Sequence, residues 1–272
     1  MHLLWDELVV DNSNAAKLNT KSVVADLGDM STLEASADKI FAFPTSCGEK
    51  SLPYTHTYFL NNAGSLHCSP IEGPAPHNLS ALQHLQLNVD FNVTSCCFLT
   101  CEFVRRNVAV NDIDEGIGGD GIHPTNTITT KETKHMIINV SSLAAIQPFK
   151  TWGSYCAGKS YREMYHKTLA LERPVVKPED WQGPFLTPVS ILNYSPGPMN
   201  TKMQEQIRKS EFCEKGTRDY FLDLAGGKED FEKEGGGGLV NPTHSTEKLC
   251  QLIFGGDNVK EFKSGDHVDY FD

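Results

Sequence analysis

The sequence predicts an α/β fold built on a mostly parallel sheet, doubly wound by helices. Three observations lead there. Short apolar runs alternate with longer stretches of helical periodicity, the pattern of βαβ units. The most apolar run, Met136 to Val140 (MIINV), shows no inside–outside alternation, as a strand covered on both faces requires. The residues of chemical interest, Asn61, Ser142 and Pro196, follow strands, and such sheets receive ligands beyond the carboxyl ends of their strands.

Each element has its own signal. Ser22 to Leu27 (SVVADL) reads as a strand, and Ser31 to Phe41 as a helix capped by Ser31 or Thr32. Thr57 to Leu60 (TYFL) is a strand running into Asn61-Asn62-Ala63-Gly64. Leu79 to Val110 is a long helix with an apolar stripe at Leu82, Leu85, Val89, Val93 and Cys97. Residues 111–131 are polar and glycine-rich, a surface loop. Helix Tyr155 to Glu172 and strand Pro188 to Tyr194 follow, the strand ended by Pro196-Gly197-Pro198. The charged stretch 211–238 ends in four glycines and reads as flexible. Helix Ser245 to Phe254 and a short strand, His267 to Phe271, complete the chain.

Composition narrows the function classes. With 24 Lys+Arg against 35 Asp+Glu, the net charge of -11 argues against nucleic-acid and anionic-membrane surfaces. No apolar run is long enough to span a bilayer, and the start MHLLWDELVVDN lacks the basic and apolar regions of a signal peptide. The eight cysteines form no CxxC pair and no zinc spacing, so they read as reduced thiols of a cytoplasmic protein with no metal site. The sequons at Asn92 and Asn139 then carry no glycan.

Tyr155 and Lys159 lie four apart in a helical segment and so share one face. A cation beside a phenol lowers the phenol pKa and suits it to proton transfer. YxxxK alone is a weak pattern, and a surface Tyr with a solvated Lys would explain it equally. Its context is more specific. Ser142 lies upstream at the end of a buried strand, and Asn92 interrupts an apolar helical face, which buried-polar accounting must explain. Asn92 has a bland alternative, bridging backbone groups.

Taken together, NNAG at 61–64, FNVTS at 91–95, NVSS at 139–142, YCAGK at 155–159 and SPGPMNT at 195–201 resemble the short-chain dehydrogenase/reductase family, from about residue 20 to the C-terminus. The resemblance implies a Rossmann-like fold. It implies Tyr155 as general acid, Ser142 as the group polarising a carbonyl, Lys159 as partner of Tyr155 and of the nicotinamide ribose, and Asn92 as holder of a relay water. The longer runs SSLAAIQPFKTWGSYCAGKSYREM, LNYSPGPMNTKMQ and EFKSGDHVDYFD resemble a branch of that family that reduces pterin side-chain carbonyls. From that branch, Asp269 is expected to anchor a pterin, with Ser142, Leu143, Tyr155 and Gly197 around the substrate. Asp26 and Leu27 are expected at the adenine of NADPH. Asn62, Ala63, Gly64, Lys159 and the run Met199, Asn200, Thr201, Lys202, Met203, Gln204 are expected along the rest of the cofactor. A homodimer through the helices at 79–110 and 155–172 is implied by the same resemblance.

The sequence also departs from the family. It has no TGxxxGxG turn and no second strand ending in a basic residue. The one GxGxxG, Gly116 to Gly121, follows no strand and opens no helix, so it reads as a loop. The expectation is a single domain over 1–272, N-terminally incomplete, missing the family's first two strands, with insertions near 111–131, 173–187 and 228–238. Such a sheet leaves TYFL as an exposed apolar edge. The N-terminal stretch Leu3 to Val10 is too short to replace what is missing, and weak NADPH binding follows. Three functions fit these observations. They are a pterin carbonyl reductase, a general carbonyl or dicarbonyl reductase, and a non-catalytic remnant serving as a binding or dimerisation partner.

Overall fold

The computed structural model describes residues 22–42, 55–66, 80–108, 133–175, 187–226, 238–255 and 261–272. The expected loop at 111–131 with its glycine motif, the stretch Leu3 to Val10, and most of the expected insertions at 173–187 and 228–238 lie outside them.

Four strands form one sheet in the order β1-β2-β3-β4, and all neighbours are parallel. They are β1 His56–Asn61, β2 Lys134–Val140, β3 Val189–Ser195 and β4 His267–Asp269. The fold is Rossmann-like, as expected. Helices cover both faces because β2 and β3 send alternate apolar residues to each side. Ile137, Val189 and Ile191 join Leu99, Phe103 and Ala37 on one face. Met136, Ile138, Leu192 and Tyr194 join Leu249 on the other. The helices on the first face are α1 Leu33–Ile40, α2 Ala81–Val89, α3 Ser95–Phe103 and α4 Gly153–Glu172. The remaining helices are α5 Lys202–Lys209, α6 Lys215–Gly226 and α7 Pro242–Phe254.

Local chemistry sets several boundaries. Ser80 and Gln83 close a reciprocal capping box at the start of α2. Asn241 accepts from the Thr243 N–H while Pro242 fills the first turn of α7. The expected helix at 79–110 is a chain of α2, a π turn Asp90–Thr94, α3 and a second π turn Val104–Val108.

Two expectations need correction. Residues 22–27 form no strand. Leu27 packs its side chain into the apolar cluster, and the Asp26 carboxylate accepts from the Gly28 N–H at 3.0 Å to make a turn. A strand needs a neighbour's peptide groups, and no described residue offers them here. The charged stretch expected to be flexible contains α6, because Phe221 is buried and stacks on Trp152 at 5.8 Å. The edge reading of β1 matches the structure. Among the described residues nothing pairs with its outer side, and Tyr58 and Leu60 are each 43% exposed.

At the carboxyl ends of the strands, Asn61, Asn139 and Asn193 stand in register across β1, β2 and β3, all buried. Asn139 Nδ2 donates to Asn193 Oδ1 at 2.9 Å, and Asn193 Nδ2 donates to the Gly265 backbone carbonyl at 3.1 Å. Asn61 donates to the Cys96 carbonyl at 3.0 Å. Arg162 of α4, wholly buried, donates to Asn139 Oδ1 and to the carbonyls of Asn61 and Ala63 at 2.6–3.1 Å. Arg162→Leu would strip these acceptors of their donor, at about 1–3 kcal/mol each. The variant is expected to lose about 3 kcal/mol or more of unfolding free energy, read from urea denaturation followed by circular dichroism.

Candidate active site

Helix α4 supplies the central side chains. Tyr155, Lys159 and Glu163 are spaced by four and run along one side of it. An aromatic group fixes its N-terminal end. Trp152 stacks on Phe149 at 5.1 Å and meets the Tyr155 ring edge-on at 5.9 Å. Just before it, Thr151 has a φ of 65°, strained for a β-branched residue, and its hydroxyl accepts from the Glu214 N–H at 3.1 Å. That bond ties the entry of α4 to the entry of α6.

The Tyr155 phenol is buried and points at the Met203 sulfur, 4.0 Å away. Burial raises its pKa. The Arg162 charge and the Ser142 hydroxyl oppose that rise without overcoming it. This corrects the expectation that Lys159 lowers it. The Lys159 ammonium sits 5.7 Å from the ring centroid and donates instead to the Val140 carbonyl at 2.7 Å. Burial, with repulsion from Arg162, holds Lys159 itself well below the usual lysine range. Tyr155 is therefore a protonated phenol at neutral pH, as an unshifted tyrosine would also be, and that is the state a proton donor needs.

Ser142 lies past the end of β2 in extended backbone. Its hydroxyl accepts from the Ala144 N–H at 3.1 Å and caps the short 3-10 turn Leu143–Ala145. Asn92 sits buried inside the first π turn. It accepts from the Ser65 N–H at 2.8 Å and donates to the Ser65 carbonyl at 2.9 Å. The bland reading of Asn92, a bridge between backbone groups, is therefore part of the structure. The pair it makes fixes the chain just after Asn62, Ala63 and Gly64.

Gly64 faces the same space. A Cβ there would lie 3.7 Å from Lys159 Nζ and 3.9 Å from Asn92 Oδ1. Bare backbone beside a buried amine suits the approach of a flat ring or a ribose. On the far side, Gly197 adopts a φ of 75° and is crowded by Val240, Tyr270 and Phe271. The loop after it is pinned by Val240, whose N–H donates to the Pro198 carbonyl and whose carbonyl accepts from the Asn200 N–H, both at 3.0 Å. Thr201 precedes α5, and Met199, Lys202 and Met203 continue that wall. Gln204 is buried with its Oε1 lacking a hydrogen-bond partner. Such an acceptor inside the run expected to hold a cofactor is consistent with a polar ligand there.

The structure thus brings Asn92, Gly64, Ser142, Tyr155, Lys159 and Met203 into one region at the carboxyl ends of β1 and β2. Asp26 and Leu27 are engaged in a turn and in the core. Asp269 ends β4 opposite Ser195, and its Oδ1 accepts from the Phe271 N–H at 3.1 Å within its own turn. Two residues escaped the sequence reading, Arg162 and Glu163. Glu163 had a usable signal, one more step of four beyond Tyr155 and Lys159. Its carboxylate accepts from Ser141 Oγ at 2.6 Å, Lys167 Nζ at 2.7 Å and His267 Nδ1 at 2.7 Å.

Residues 124–211, which include Ser142, Tyr155 and Lys159, match the family model described as short chain dehydrogenase. Sepiapterin reductase of Rattus norvegicus is 35% identical over 136 residues, 50% of this chain and 42% of that protein. The match thus spans less than half the length of that relative. A benzil reductase ((S)-benzoin forming) of Bacillus cereus is 26% identical over 245 residues, 89% of this chain and 76% of that protein. Among solved structures, the 3-ketoacyl-(acyl-carrier-protein) reductase of Brucella melitensis complexed with NADH superposes with a TM-score of 0.54 at 17% identity. That superposition covers 91% of this chain and 75% of the other, and it shows a shared fold.

The Glu163 network makes acid stability testable. Burial pushes its carboxyl up, but bonds from His267, Lys167 and Ser141 outweigh that and hold it at about 2, below the ordinary 4.5. A lowered folded-state pKa stabilises the fold above 4.5, and that stabilisation is lost as pH falls toward 2. The thermal midpoint should therefore fall more steeply between those two pH values in the parent chain than in Glu163→Gln. Equal slopes in the two proteins would contradict this.

Proposed function

We propose that the chain is an NADPH-dependent carbonyl reductase whose substrate is a pterin carrying a side-chain ketone, in the manner of sepiapterin reductase and of tetrahydrobiopterin synthesis. One observation carries the reading. The Tyr155 phenol lies with the Ser142 hydroxyl at the carboxyl end of a parallel sheet. A carbonyl oxygen between these two hydroxyls would be polarised by Ser142 and protonated by Tyr155 as charge develops on it. NADPH, when bound, would supply the hydride for the carbonyl carbon. Lys159, Gly64, Asn62 and Ala63 would hold the nicotinamide ribose, with Met199 to Gln204 closing over it and Asp26 and Leu27 toward the adenine. Lys159 keeps ammonium protons beyond the one given to Val140, and these can bridge a ribose hydroxyl and the Tyr155 oxygen. Asn92 would hold a water on the proton path while its amide stays fixed by Ser65.

At the far end of the substrate, Asp269 would accept paired N–H groups from the amino-pyrimidine edge of a pterin, a geometry carboxylates suit well. The likeness to sepiapterin reductases supports this finer substrate assignment. The likeness to a benzil reductase favours a second reading, in which the site reduces small dicarbonyls and Asp269 has no substrate role. The protein would work as a cytoplasmic homodimer formed by the long helical segment around α2 and α3 and by α4, which exposes Tyr161, Met164 and Leu171. No helix among the described residues is long and apolar enough to cross a membrane.

Two variants separate the readings. Tyr155→Phe should lower kcat about 10³-fold for any carbonyl substrate, the usual worth of a general acid. Asp269→Ala should raise KM for sepiapterin about 10-fold or more, since a charge-assisted hydrogen bond contributes about 1.5–3 kcal/mol, and spare a small diketone. Equal effects on both substrates in steady-state NADPH oxidation would favour the dicarbonyl reading.

A further inference from the structure

Glu163 stands outside the proton-transfer chemistry, yet it is one of the most heavily bonded side chains in the molecule. It is 2% exposed and makes three short contacts, one within its own helix and two to the ends of other elements. Ser141 lies at the end of β2, directly before Ser142. Lys167 lies one turn further along α4. His267 lies on β4, two residues before Asp269, so the two side chains leave the strand on the same side.

The geometry of β2 sharpens this. Lys159 donates to the Val140 carbonyl and Glu163 accepts from the Ser141 hydroxyl. Consecutive residues at the strand end are thus tied to consecutive turns of α4. The same carboxylate oxygen, Oε2, that takes the Ser141 proton also takes His267 Nδ1. One atom therefore joins the segment carrying Ser142 to the strand carrying Asp269. The β4 strand is bonded along its length to β3 alone, through the pairs Asn193 to His267, Tyr194 to Val268 and Ser195 to Asp269 and through Gly265, Asp266 and Tyr270 beside them, and Glu163 adds a tie to β2 and α4.

We infer that Glu163 is a positioning residue that sets the separation between the carbonyl-polarising Ser142 and the ring-anchoring Asp269, and so selects substrates of pterin length. This inference rests on the pterin reading above. A substrate held at both ends senses that separation. A small dicarbonyl held only at Ser142 and Tyr155 does not. The groups facing Glu163 are Ser141 from β2, Lys167 from its own helix and His267 from β4.

The test is a double-mutant cycle on sepiapterin affinity, read by quenching of tryptophan fluorescence in the full-length chain. The variants are Glu163→Gln, Asp269→Ala and their combination. Glu163→Gln keeps the side-chain volume but removes the charge, and His267→Phe cuts only the link to β4. Each alone should weaken sepiapterin binding about 10-fold while still unfolding cooperatively. Because Glu163 acts through Asp269, the double variant should bind no worse than Asp269→Ala alone, a non-additivity that general destabilisation would not produce. If the two effects multiply, or if both Glu163→Gln and His267→Phe leave affinity unchanged, the inference is overturned. Should Glu163→Gln fail to fold, His267→Phe in the same cycle decides the matter. If Asp269→Ala itself binds sepiapterin normally, the pterin reading falls, and this inference with it.

Discussion

The organising constraint is the buried row of polar groups at the carboxyl ends of the strands. Parallel strands that stop inside a protein leave backbone carbonyls facing the site, and three asparagines in register add more polar atoms to the same layer. Every one of them must be satisfied away from water. Arg162 does most of this with one side chain, reaching Asn139 and the carbonyls of Asn61 and Ala63. Its partners are neutral, and no carboxylate contacts it among the described residues. The positive charge is therefore spread over carbonyl dipoles and felt nearby. It adds to burial in lowering the pKa of Lys159, adds to the Cys97 hydrogen bond that draws the buried Cys96 thiol downward against burial, and opposes the rise in the Tyr155 phenol.

Helix α4 is the element through which this constraint becomes a site. Successive turns present Tyr155, Lys159, Arg162 with Glu163, and His166. Each holds a different part of the sheet or its neighbours. His166, kept neutral by burial with its pKa drawn down to about 4, bridges the Arg162 carbonyl and the Thr100 hydroxyl of α3. The helix thus joins the region around Tyr155 to the long helix beside it and to both β2 and β4. A site built on one rigid element keeps its geometry better than one assembled from loops.

Much of this was legible in the residues, for identifiable reasons. MIINV and VSILNY are so uniformly apolar that only a strand buried on both faces accommodates them. YCAGK was informative because Ser142 and Asn92 stood at matching places upstream. What escaped was non-local. SVVADL has every local mark of a strand, but pairing depends on a partner that local sequence does not reveal. Arg162 and Glu163 look like ordinary solvated charges on a helix until the asparagine row and His267 are seen against them. Helix α6 was hidden because a single aromatic, Phe221, secures an otherwise charged segment through a distant tryptophan. Burial also reversed the expected effect on Tyr155, since desolvation of a phenol cannot be judged from spacing.

The π turn around Asn92 has an evolutionary corollary. A five-residue turn holds one residue more than the α-helices on either side of it need. The segment is therefore one deletion away from an uninterrupted helix. That deletion would close the wide turn and leave α2 and α3 on nearly their present faces, since the π turn absorbs its extra residue locally. Asn92 would leave the Ser65 backbone, while α3 kept its packing against the sheet. The bonds that hold the chain after Gly64 and the packing of the two helices are thus separable by a single codon, so one can be lost while the other is kept.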